Sequence, residues 1–116
     1  MTILCYSKCG TCRKALAWLD GRGAAYTNRP IKEENPTAEE LRAWIAGSGK
    51  DVRKFFNTSG LLYKELQLKD KLPQMTEDEM IALLATDGML VKRPLAIGDD
   101  LVLVGFKEAE WVEKLK

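Results

Sequence analysis

The sequence has no histidine, only three cysteines, and no apolar run that approaches the ~20 residues of a bilayer span. A structural zinc site needs four Cys or His ligands, so Cys5, Cys9 and Cys12 fall short and no metal is expected. Three cysteines, two of them closely spaced, do not make the disulfide framework of a small secreted protein. Charge of one sign is also lacking. The formal net charge is +1 and the eighteen basic residues are spread along the chain, which argues against a nucleic-acid tail or a polybasic membrane anchor. The N-terminus reads straight into a strand-like segment. These absences predict a cytoplasmic protein that binds neither nucleic acid nor membrane.

What is present fits one domain over residues 1–116, long enough to bury a core without staples. Hydrophobic residues make up 46% and charged residues 30%, as in ordinary globular chains. Thr2–Tyr6 reads as a strand, Arg13–Leu19 as an amphipathic helix stopped by Gly21-Arg22-Gly23, and Ala25–Ile31 as a second strand. Pro30 restricts that second strand to an edge or an end. A β-α-β unit favours parallel strands. Thr37-Ala38-Glu39-Glu40 and Thr76-Glu77-Asp78-Glu79 are capping boxes, each opening a helix. Between those two helices, Val52–Asn57 and Leu61–Leu66 read as short helices, so about residues 34–87 form a helical block. Leu95–Ile97 and Leu101–Val104, joined by Gly98-Asp99-Asp100, predict a hairpin. A last helix carries Trp111, Val112 and Leu115 at core spacing. The order β-α-β, helical insertion, β-β-α is a thioredoxin-like α/β arrangement. No stripe predicts self-association, and we expect a monomer.

The chemistry lies in Cys9-Gly10-Thr11-Cys12, at the junction of the first strand and first helix. A sulfur at a helix N-terminus meets unpaired backbone N–H groups that favour an anion, here a thiolate. Lys8, Arg13 and Lys14 lie close in sequence and act in the same direction. Cys12 shares a helix face with Leu16 and Leu19, so Cys9 is expected outside and Cys12 inside. That asymmetry predicts a nucleophile and a resolving thiol. Cys5, in the strand, reads as a small hydrophobe.

Arg93-Pro94 is the second cluster. A proline just before a strand-forming run suggests a rigid turn: with Pro94 cis it would present Arg93 to a thiolate or an oxyanion, and with Pro94 trans Arg93 would be a solvated charge. Arg53 and Asn57 stand four residues apart and are expected on one helical face. Arg13 and Asn57 are auxiliary candidates.

Four blocks, Cys9–Ala15, Lys54–Gly60, Asp87–Leu95 and Val104–Glu108, together resemble the arsenate reductase/Spx family of thioredoxin-like proteins. The resemblance runs essentially end to end and is closest to small uncharacterised members with a C-x-x-C. It implies a mixed four-stranded sheet with flanking helices, a cis proline at Pro94, and Cys9 as nucleophile. It also implies no bound cofactor, with glutathione, glutaredoxin or thioredoxin as electron donor.

Two branches of the family imply different functions. The arsenate reductases keep one active-site cysteine, matching Cys9, and three arginines around the oxyanion. One matches Arg93, a second falls on Asn57, and the third falls near Gly105, with Lys107 the nearest cation. Asparagine and glycine cannot supply fixed positive charge to an arsenate dianion. The Spx branch has the C-x-x-C and implies a redox-sensing regulator that binds the C-terminal domain of the RNA polymerase α subunit, although this chain ends without the basic tail of that regulator. The first expectation is an oxidoreductase acting on a protein disulfide or a small thiol, in which Cys9 attacks, Cys12 resolves and Arg93 stabilises negative charge.

Overall fold

A computed structural model describes residues 1–115. The first strand, β1 (Thr2–Cys5), leads through the loop at residues 6–9 into α1 (Gly10–Gly21), and the chain returns as β2 (Thr27–Pro30). β1 and β2 pair in parallel, with Cys5 opposite Pro30. Pro30 is the last residue of a strand at the sheet edge, where its missing N–H costs no ladder bond. The hairpin of β3 (Leu95–Gly98) and β4 (Leu101–Val104) completes the sheet in the order β2-β1-β3-β4, with β3 antiparallel to β1 and β4 antiparallel to β3. The fold is the expected mixed four-stranded thioredoxin-like sheet flanked by helices.

Alternation along β1 divides the interior. Ile3 and Cys5 face a cluster with Cys12, Ala15, Leu19 and Trp111, beneath α1 and α6 (Glu108–Lys114). Leu4 faces the opposite way, into the larger cluster built by the insertion. There α2 (Ala38–Ser48) and α5 (Glu77–Leu84) each open on a complete capping box, at Thr37/Glu40 and Thr76/Glu79. Between them lie two short helices, α3 (Leu61–Glu65) and α4 (Leu68–Lys71), and a 3-10 turn continues to Gln74. The helical block extends beyond residue 87, ending in another 3-10 turn at Gly88–Leu90. Gly88 lies so close to the Ile31 carbonyl that a Cβ would collide with it, which ties the end of the insertion to the segment after β2. Among the described residues no helix is long and apolar enough to cross a membrane.

Three sequence expectations are corrected. Val52–Phe55 is a 3-10 turn that stops before Asn57, so Arg53 and Asn57 share no helical face. Phe56 instead bridges to Val91, and the Asn57 N–H donates to the Leu90 carbonyl at 2.8 Å. In α6, Trp111 is fully buried but Val112 is 43% exposed, because one residue is about 100° round the helix and the sheet covers a single face. In α1 the buried stripe is Cys12, Ala15 and Leu19, with Leu16 only half-buried.

Candidate active site

Cys9 is the N-cap of α1. Its backbone is extended (φ −92°, ψ 120°), and its side chain makes no capping bond. The loop before it is fixed by the Cys9 N–H donating to the Tyr6 carbonyl at 3.0 Å. Arg13 Nε adds a bond to the Ser7 carbonyl at 3.0 Å. The half-buried Cys9 thiol therefore sits at the rim with its hydrogen-bonding capacity unspent on the helix.

Cys12 is the sulfur on which the polar contacts converge. It is 1% exposed, and the Tyr6 N–H donates to its Sγ at 3.4 Å. The buried Cys5 packs in the same cluster as a further donor, and the half-buried Cys9 packs against its edge. These donors, the Cys5 thiol foremost, outweigh burial and lower the Cys12 pKa to about 6, with Arg93 adding a favourable charge. The shift favours the thiolate at Cys12 over the thiolate at Cys5. Its donor Cys5 is pushed far in the other direction, first by that hydrogen bond and then by burial and by the charges of Cys12 and Cys9.

Arg93 approaches from the other side of the sheet end. The Arg93–Pro94 peptide is cis. Its guanidinium lies 5.3 Å from the Tyr6 ring centroid, and Nη1 reaches the Met89 carbonyl at 3.3 Å. Its Nε is buried and has no acceptor among the described residues. A buried guanidinium donor without a partner is costly unless an anionic group arrives to accept it.

Cys9 and Arg93 line one cavity of about 910 Å³. Asn57, Gly105 and Lys107 line it too. Leu61, 77% exposed, and Phe106 give it an apolar wall. Gly105 has φ +74°, where glycine is favoured, and a Cβ there would come within 3.1 Å of Lys92 Cε. Its N–H donates to the Pro94 carbonyl at 2.9 Å and its own carbonyl accepts from Trp111 Nε1 at 3.0 Å. An arginine would be strained at this position. Arg13 is absent from the cavity wall and serves the loop instead. Among the described residues no group of three His, Cys, Asp or Glu side chains could hold a metal ion.

The contact between Cys5 and Cys12 is what the sequence reading missed. The signal was there: in a strand, residue 5 points the same way as Ile3, towards α1 and the inward face of Cys12.

A mixed four-stranded sheet with a C-x-x-C at its first helix, an Arg-cis-Pro before its third strand and a helical insertion defines a class of thioredoxin-like proteins. Within that class, the ArsC family model matches residues 4–114, and the chain belongs to the ArsC family. YusI of Bacillus subtilis is 52% identical over 113 residues, covering 97% of this chain and 96% of that protein. The global transcriptional regulator Spx of Staphylococcus epidermidis is 27% identical, covering 95% and 82%. Among solved structures, an ArsC-family-related protein of Bacteroides fragilis superposes with a TM-score of 0.96 at 61% identity, covering 99% and 96%. An arsenate reductase of Vibrio cholerae does so at 0.81 and 29% identity, covering 97% of each chain.

Proposed function

We propose that this protein is a thiol–disulfide oxidoreductase whose working pair is Cys9 and Cys12. The observation that carries this reading is a buried Cys12, its Sγ accepting the Tyr6 N–H, one helical turn from a half-buried Cys9 at the mouth of a cleft. Cys9 loses its proton to solvent and attacks one sulfur of a substrate disulfide. The substrate's S–S bond breaks, one half leaves as a thiolate, and the other half is held on Cys9 as a mixed disulfide. The Cys12 thiolate then attacks Cys9 Sγ, releasing the second half and closing the Cys9–Cys12 disulfide. The substrate gains two electrons and the protein loses two. Arg93, with its unpartnered Nε, stabilises the thiolates that develop in the cleft. Glutathione, glutaredoxin or thioredoxin returns the electrons, and the reducing cytoplasm keeps the three thiols ready. The test is a Cys12→Ser variant incubated with a disulfide substrate. It is expected to accumulate a mixed disulfide on Cys9, and free Cys9 throughout would overturn the reading.

The likeness to Spx over 111 residues favours one second reading, a regulator whose Cys9–Cys12 switch controls binding to the C-terminal domain of the RNA polymerase α subunit. Affinity for that domain measured in the reduced and oxidised states separates the two. Arsenate reduction with glutathione or glutaredoxin ranks below both, since Asn57 carries no charge and Gly105 has no room for an arginine without strain.

A further inference from the structure

The Cys9–Cys12 reading leaves one buried thiol unused. Cys5 ends β1, is 4% exposed, and packs in one cluster with Cys12, with Cys9 against the edge of that cluster. Cys12 stands one turn along α1 from Cys9, so it is the middle sulfur of the three. Cys5 and Cys12 further share a small cavity of about 280 Å³, floored by Leu16 and Pro30. That cavity has only Tyr6 in common with the cleft lined by Cys9. The sulfur cluster thus has an outer side, with Cys9, and an inner side, with Cys5.

We propose that Cys5 is a third redox sulfur, which takes the disulfide from Cys9 and stores it in the interior as Cys5–Cys12. This rests on the Cys9–Cys12 reading. Cys5 Sγ attacks Cys12 Sγ, a Cys5–Cys12 bond forms, the Cys9–Cys12 bond breaks, and Cys9 leaves as a thiolate. The proton that Cys5 gives up passes to Cys9. No electrons enter or leave, because the two lost in making the first disulfide stay lost.

The cluster times this step. In the reduced protein Cys5 is held protonated by its bond to Cys12, by burial, and by the charges of Cys12 and Cys9. Joining Cys9 to Cys12 abolishes the acceptor and both charges, and only burial remains. The Cys5 thiol therefore becomes a better nucleophile once there is a disulfide for it to attack. The product exposes a free Cys9 to the cleft and withdraws the disulfide from external thiols. Cys9 can return the disulfide by the reverse attack on Cys12. A valine-like filler would satisfy the same packing, but it would supply neither the hydrogen bond nor the exchange.

The chain suits a direct test. Trypsin cuts after Lys8 and Arg13, so a Cys9–Cys12 disulfide stays within peptide 9–13, whereas Cys5–Cys12 joins it to peptide 1–8. The full chain is oxidised with oxidised glutathione, quenched with acid at intervals, alkylated and digested. The expected course is early closure of peptide 9–13, followed by the cross-linked pair with Cys9 alkylated. Cys5→Ala should stop at the closed peptide. If Cys5 is the alkylated cysteine at every time, or the cross-link uses Cys9, the relay is overturned and the working pair is judged by the mixed-disulfide test. If neither wild type nor Cys5→Ala forms any intramolecular disulfide, both readings fall.

Discussion

The two sides of the loop at residues 6–9 treat sulfur differently. On the outer side Cys9 borders a wide cleft with a half-buried arginine, a lysine and an exposed leucine, open to a partner. On the inner side Cys5 and Cys12 lie in an apolar cluster with Ile3, Ala15, Leu19 and Trp111, where the Tyr6 N–H donates to Cys12 Sγ. Exposure decides which sulfur a partner can reach, while the groups packed round each sulfur set how readily it gives up its proton. Helix position by itself does not separate the two roles, since both cysteines belong to the start of α1.

Cys9→Ser is the strongest way to break this division. It should abolish reduction of a disulfide substrate, measured by coupled thiol release, while the Cys12 thiolate persists, because the Tyr6 and Cys5 donors are untouched. Arg93→Ala comes next. Removing a charged donor from the developing thiolates should slow turnover by about 10–100-fold, read in the same assay, with the loss shrinking at high salt.

A pH series sharpens the inner side. Closure of the mixed disulfide by Cys12, followed in single turnover, should slow as pH falls through about 6, where protonation removes the attacking thiolate. Cys5→Ala should move that midpoint upward, since it deletes the foremost donor. The smallest effect belongs to a pair remote from both sides. Arg29 binds the Glu40 carboxylate at 2.8 Å and, with the Thr37 N–H, lowers its pKa to about 2. The stabilisation is complete above the ordinary value of 4.5 and is lost as pH falls through about 2. Glu40→Gln should cost about 1 kcal/mol at neutral pH by denaturant unfolding, less in acid, with no change in exchange chemistry.

The sequence made the frame legible where local rules act alone. The capping boxes at Thr37 and Thr76, the β-α-β unit and the hairpin at residues 95–104 each follow from short-range spacing. Cys9 outside and Cys12 inside followed from helix periodicity. Tertiary contacts hid the rest. Asn57 reaches the cleft because Phe56 bridges to Val91, a pairing between segments far apart in the chain. Arg13, four residues from Cys9, is diverted to the Ser7 carbonyl by the turn of the loop. Cys5 looked like filler because burial predicts packing, and its bond to Cys12 exists only once α1 crosses β1.

The proposed exchange turns on a thiolate at buried Cys12 in the reduced protein. The direct measurement is the ultraviolet absorbance of thiolate as a function of pH in the Cys9→Ser chain, where only Cys5 and Cys12 remain. The account predicts a band that fades as pH falls through about 6 and is lost in the Cys9→Ser/Cys12→Ser double variant. A band that appears only near the ordinary thiol value of 9.0, or that survives without Cys12, would contradict it.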